Sequence, residues 1–409
     1  MAGRWHLLFF VASVVYVAAF AAMIASHVWL WDAQGKLAAY DFIDVYAAGK
    51  LALAHHPASA YDWPSHRIAE AAALHHPLAW KDYFGWHYPP PFLFAAAALA
   101  LLPYLAAFFA WSVATLPLYL LSVQRIVGRS AAWLAAFAFP ATFYNISVGQ
   151  NGFLTAALIG GSLATLEERP VLSGVLLGLL TYKPQFGILF PFALAAGGYW
   201  RAFAAAAATA IVMAGASWLA FGGDAWFAFV HSVPVTVDAV FMRGLEGWSK
   251  LNSVYGFCRW LGAGAAAAAA AQIALDVLLV GAVVAIWRSK TPFALKAAAL
   301  VTATLLATPY VYIYDFPILA VAIAFLWRQQ AFDRRETLLV AIACAAVAVF
   351  PFMHIATGLA ATLCVAAIVC VRTLRSSATF PSPLEGEEEK SWVGLSVSED
   401  QALDFSGEG

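Results

Sequence analysis

The sequence predicts an all-α polytopic membrane protein, and three observations predict it. Of 409 residues, 63% are hydrophobic and only 11% are charged, against about 25% charged in an average soluble domain. The apolar residues fall in successive blocks separated by short polar breaks, the pattern of repeated membrane helices. The 16 Trp and 15 Tyr gather near block ends, where an interfacial aromatic belt places them. A net charge of −1 provides no bulk attraction to nucleic acid.

The first block, 7–31, is longer than a signal-peptide core and lacks a cleavage site, so it reads as a retained first membrane helix. A long connection over 32–91 follows. Within it, 40–54 and 65–74 read as amphipathic helices, with Pro57 and Pro64 breaking between them. The connection closes on Trp86-His87-Tyr88-Pro89-Pro90-Pro91, where three prolines force an extended entry into the next span. Apolar blocks then run over 92–102, 104–123, 131–146, 153–166, 171–181, 186–198 and 203–221. A second polar connection is expected over 222–250 and a short half-helix over 251–261. Further blocks cover 263–287, 295–308, 311–327, 338–352 and 354–371. The reading is a bundle of about 11–12 transmembrane helices, several short of the ~20 residues that cross a bilayer. Such pieces fit broken or re-entrant helices around a cavity.

Residues 1–375 are expected to form one membrane domain. Residues 376–409, rich in Ser, Gly, Pro and Glu, are expected to be a disordered tail. Arg4 at one end and Arg372 and Arg375 at the other favour cytoplasmic termini and an external 32–91 loop. No internal repeat is evident, which weighs against a repeat-built transporter.

The polar residues sit at block ends rather than along one helix stripe, with Asp276 the exception. That favours a cavity open at one membrane face over a transmembrane ion path. Asp41 and Asp44, three residues apart, share a helix face and can form an acid/base pair with separated pKa values. Asp41 equally suits the N-cap of a helix beginning at Phe42. Gln150-Asn151, set between glycines, needs polar partners or a ligand. Lys183, ahead of Pro184, can snorkel or strengthen an anion site. Tyr314-Asp315 lies in a break bounded by Pro309 and Pro317, where alternating tyrosines at 310, 312 and 314 fit non-helical backbone. Asn252 and Arg259 follow the second connection, and Arg259 can grip a phosphate bidentately. His87, in its rigid aromatic turn, is either an interfacial anchor or a phosphate or sugar contact. The cysteines Cys258, Cys344, Cys364 and Cys370 and the loop histidines show no metal-ligand spacing, so no metal site is expected.

Five motifs, in order over about residues 5–330, resemble glycosyltransferase family 87. They are Asp41-Phe42 with Tyr46-Ala47-Ala48-Gly49, then Ala60-Tyr61-Asp62, His87-Tyr88-Pro89-Pro90, Gly149-Gln150-Asn151 and Lys183-Pro184. The resemblance implies a GT-C-like bundle and a hexosyltransferase similar to polyprenyl-phosphate-mannose-dependent mannosyltransferases. It implies a lipid-linked sugar donor, a glycan or glycolipid acceptor in the cell envelope, and a site facing the periplasm from a bacterial inner membrane. Asp41 matches the loop aspartate and is the expected general base of an inverting transfer. Asp44 is its helical neighbour on the acceptor side. Tyr46, His87, Tyr88, Gln150, Asn151, Lys183, Asn252, Arg259, Tyr314 and Asp315 are the expected substrate contacts. No Asp-x-Asp motif occurs, in keeping with a lipid donor and no cofactor. Alternatives are a transporter or flippase of lipid-linked sugars, or a non-catalytic membrane assembly factor.

Overall fold

The computed structural model describes residues 2–31, 34–38, 40–78 and 85–378. They are helical; the β pairing recorded among them is an isolated Trp31–Leu37 bridge. The first helix α1 is Ala2–Ala25, and the connection after it carries α2 (Phe42–Leu53) and α3 (Trp63–Leu74). Then come α4 (Leu93–Ala100), α5 (Tyr104–Val127), α6 (Ala132–Ala138), α7 (Pro140–Val148), α8 (Gly152–Thr165), α9 (Pro170–Gly178) and α10 (Phe190–Ala196). The long α11 (Trp200–Thr236) is followed by α12 (Val254–Trp260), α13 (Ala265–Arg288), α14 (Phe293–Ala307), α15 (Pro317–Gln329), α16 (Arg334–Ala348) and α17 (Thr357–Ala378).

Among the described residues, five helices are long and apolar enough to cross a membrane: His6–Ala25, Tyr104–Val127, Trp200–Met242, Ala265–Arg288 and Thr357–Ser376. Shorter apolar helices of 10–17 residues accompany them, as a bundle of broken spans requires. The chain is an all-α polytopic membrane protein. Its driest layer is α14 against α15, where Leu295, Leu300, Val301, Ile318 and Val321 are fully buried. In contrast, Leu219, Ile211, Val277 and Leu278 are exposed, as lipid-facing side chains are.

Buried charge holds one end of the bundle. Arg372 on α17 donates to both Glu336 carboxylate oxygens at 2.7 Å and to the Leu326 carbonyl at 2.7 Å, joining α15, α16 and α17. Glu336 also closes a capping box with Asp333 at the start of α16.

Three expectations change. The 222–250 segment is mainly helix: α11 breaks at Gly222 and resumes at 223, and a π-helical turn carries it through Met242. The 43 residues of Trp200–Met242 would measure about 64 Å as one straight helix, twice the hydrocarbon thickness. Gly222 adopts φ 78°, ψ 161°, a backbone state available essentially to glycine. The expected span at 131–146 is two helices, because Pro140 opens α7 and cannot continue α6. The C-terminal boundary moves too, since α17 extends past 375 to Ala378; the rest of the expected tail, 379–409, lies outside the described residues.

Candidate active site

The site is assembled from backbone turns. α2 starts at Phe42, with Asp41 in its N-cap position, yet the Asp41 side chain makes no capping hydrogen bond. Both aspartates instead line a cavity of about 310 Å³. α2 lies against α4 at very short range: a Cβ on Gly49 would sit 2.0 Å from the Ala96 carbonyl oxygen. The small run Ala47-Ala48-Gly49 lets the helix carrying the aspartates press onto the span beneath it.

Opposite, Gly149 adopts φ +69° and ends α7 directly against Phe42 and Phe108. That turn delivers Gln150 to Asp41. The Tyr88 hydroxyl donates to Gln150 Oε1 at 3.1 Å, and the Asn151 N–H donates to the same oxygen at 3.1 Å. With its oxygen so engaged, the Gln150 amide presents its NH₂ to the Asp41 carboxylate.

The carboxylates are held in different states. Burial raises Asp41 to about 6, opposed by the charge of Lys250 and the Gln150 hydrogen bond. Asp44 is only 5% exposed. Burial, then the charges of Asp41 and Glu70, push it well above the usual carboxylate range. Both carboxyls are thus pushed upward, Asp41 against the opposing charge of Lys250 and Asp44 with the added charge of its neighbours, the kind of perturbation an acid/base site uses. A third carboxylate, Glu246, lines the same cavity. Burial and the Asp41 charge raise it to about 7, with Lys250 opposing.

Lys183, 4% exposed, lines the cavity but donates to Asp315 Oδ1 at 2.6 Å. Asp315 Oδ2 accepts from the Tyr312 N–H at 3.2 Å, so Asp315 stands behind the lysine and is absent from the cavity wall. Tyr314 lines the cavity and lies 5.4 Å below the Lys183 ammonium. His87 also lines it; its Nδ1 pairs with Thr236 Oγ1 at 2.8 Å, and burial lowers its pKa to about 4, keeping it neutral.

The sequence-predicted residues thus divide. Asp41, Asp44, His87, Tyr88, Gln150, Lys183 and Tyr314 converge on one cavity. Tyr46, Asn151, Asn252, Arg259 and Asp315 do not line it. The Tyr46 hydroxyl donates to the Leu102 carbonyl at 2.9 Å. Asn151 is fully buried beneath the wall, beside the Tyr88 hydroxyl. Asn252 bridges backbone, accepting from the Gly358 N–H at 2.8 Å. The expected phosphate grip of Arg259 is not built: its guanidinium donates to the Met242 and Ala263 carbonyls and covers the Trp248 ring at 4.3 Å.

Sequence reasoning missed Glu246 and the 229–241 wall. The helix after Gly222 supplies Phe229, Val233, Thr236, Val237 and Phe241 to the cavity. Reading that segment as a polar connection hid them. The available signal was its apolar periodicity on the far side of a Gly-Gly pair, Gly222-Gly223.

The sequence model of glycosyltransferase family 87 matches residues 86–309. This chain belongs to glycosyltransferase family 87. It is therefore an enzyme that transfers a glycosyl group. No curated protein and no solved structure matches the chain. The family 87 match contains His87, Tyr88, Gln150, Lys183 and the 229–241 wall. Asp41 and Asp44 precede it and Tyr314 follows it, and the fold returns all three to the same cavity.

Proposed function

We propose that this family 87 enzyme moves a hexose, mannose being the first candidate, from a polyprenyl-phosphate donor to a glycan or glycolipid acceptor with inversion, Asp41 acting as general base. One observation carries the reading. Asp41 is an ionised carboxylate with no capping bond, held by the Tyr88–Gln150 chain at the wall of a cavity large enough for a sugar.

In the transfer, the acceptor hydroxyl oxygen attacks the anomeric carbon and its proton passes to Asp41. The bond from the anomeric carbon to the phosphate oxygen breaks, and the electron pair leaves with polyprenyl phosphate. A positioned base contributes about 10²–10⁴ in rate. The leaving group is already a stabilised anion, so no dedicated acid is required. Its charge is met by Lys250, an exposed residue near enough for its charge to reach both Asp41 and Glu246. Lys183, balanced by Asp315, orders the wall. A lipid-linked donor is supported by the apolar 229–241 wall, whose neighbours Phe227, Val230 and Val235 face outward and exposed. The cavity belongs on the extracytoplasmic side if Arg4 marks a cytoplasmic N-terminus, and a bacterial inner membrane suits such a donor. The reaction as written uses no metal or cofactor.

The test is radiolabelled transfer from synthetic polyprenyl-phosphate mannose in proteoliposomes, comparing wild type with Asp41→Asn. Product formed by wild type and lost in the folded variant supports the reading. Equal rates would sink the base assignment, and no transfer by wild type from this donor would sink the donor.

A further inference from the structure

A small compartment opens off the main cavity behind His87. Tyr61, Trp63, His66 and Trp86 line its far side, while His87, Ser232 and Thr236 belong to both walls. It holds about 30 Å³, room for roughly one or two water-sized groups and far too little for a sugar ring.

Its chemistry is unusual for a dry interior. His66 is 1% exposed, and neither ring nitrogen has a hydrogen-bond partner. Its neighbour on α3, Glu70, is also 1% exposed, and its Oε1 lacks a partner. The two approach to 3.6 Å, but the contact is no ion pair. Burial drives His66 down to about 3 and Glu70 up to about 8, so both are neutral at pH 7. A neutral imidazole has one N–H donor and one acceptor nitrogen. Leaving both unsatisfied in a buried site is costly, so a polar partner, water or a ligand group, is called for there.

We propose that this compartment receives the hydroxymethyl group of a sugar substrate, with His66 hydrogen-bonding its oxygen and the aromatic walls enclosing its carbon. The inference rests on the glycosyl-transfer reading and adds a specificity element to it: a hexose bears the group, and a pentose or a 6-deoxy sugar lacks the group or its oxygen. The shared chemistry is a primary alcohol on a ring standing in the main cavity; that ring is either the donor's or the acceptor's.

The experiment uses the full chain in nanodiscs and two paired arms. One compares polyprenyl-phosphate mannose with its 6-deoxy counterpart against a fixed octyl mannoside acceptor. The other fixes the donor and compares octyl mannoside with octyl 6-deoxymannoside. Loss of the oxygen is expected to lower kcat/KM at least 10²-fold in one arm, since a site built to hydrogen-bond a hydroxyl rejects the analogue lacking it. The arm that loses names the ring. His66→Phe, which keeps an aromatic side chain but no ring nitrogen, is expected to collapse that ratio toward one by slowing the hydroxymethyl substrate; His66→Gln retains part of it. Indifference of wild type in both arms overturns the proposal, as does a His66→Phe enzyme slowed equally on both substrates with its ratio intact. If no donor is used, the donor reading has failed, and titration with methyl mannoside and methyl 6-deoxymannoside still decides: equal affinities overturn the subsite.

Discussion

Two walls of one cavity treat buried charge in opposite ways. On the Lys183 wall each charge is met: ammonium and carboxylate lie 2.6 Å apart, and the second carboxylate oxygen accepts a backbone N–H. On the side of Asp41, Asp44 Oδ1 lacks a hydrogen-bond partner at the cavity wall, and in α3 behind it Glu70 Oε1 and both His66 nitrogens lack one too. A satisfied pair fixes geometry, whereas an unsatisfied wall stores the capacity to bind and to exchange protons. In the proposed function the first is scaffold and the second is where substrate chemistry belongs.

That contrast can be broken experimentally. Asp41→Asn should cost about 10²–10⁴ in kcat with melting temperature unchanged, read by transfer rate beside a thermal melt. Lys183→Met should act the other way. Breaking a buried pair typically costs about 3–5 kcal/mol because the partner charge is stranded, so the melt should fall steeply. Lys183→Met with Asp315→Leu should recover much of it. A stable, inactive Lys183→Met would move the lysine from scaffold to substrate contact.

Smaller effects sharpen the picture. Gly49→Ala places a Cβ 2.0 Å from the Ala96 oxygen, so α2 has to shift and Asp41 with it. Displacements near 1 Å cost roughly 10² in rate, to be seen as lost kcat. Asp44→Asn should cost less than about tenfold, because burial and the charges of Asp41 and Glu70 favour its uncharged form, which the amide resembles; a loss as large as that of Asp41→Asn would reverse the two roles. Lys250→Met is the mildest. Lys250 favours ionised Asp41, so removing it raises the Asp41 pKa. The acid limb of the kcat/KM profile, expected near pH 6 in wild type where Asp41 loses its proton, should move to higher pH. A shift to lower pH would show that another group sets the limb.

Much of this was legible along the chain. The loop helix beginning at Phe42, the non-helical backbone at Tyr310 and Tyr312 and the turn at Gly149-Gln150 follow from local proline and glycine punctuation, although Asp41 forms no cap and Tyr314 lies in a 3-10 turn. Each depends on neighbours a few residues away. Arg259 misled because an arginine after a polar stretch looks like a phosphate grip. In the fold, the nearby carbonyls of Met242 and Ala263 use its donors first.

The sequence by itself determined the class, the membrane and the loop helix, and pointed to Asp41, Gln150 and Lys183, which share one cavity, because composition, periodicity and short motifs act locally. Only the tertiary structure decided how deeply each carboxyl is buried, that Lys183 is already paired, that Glu246 shares the cavity, and that His66 faces a compartment without a partner. Those properties depend on burial and on charges tens to hundreds of residues away in the chain, as in the 132-residue separation of Lys183 and Asp315. No local pattern encodes how deeply a carboxyl is buried or which distant charge will stand beside it.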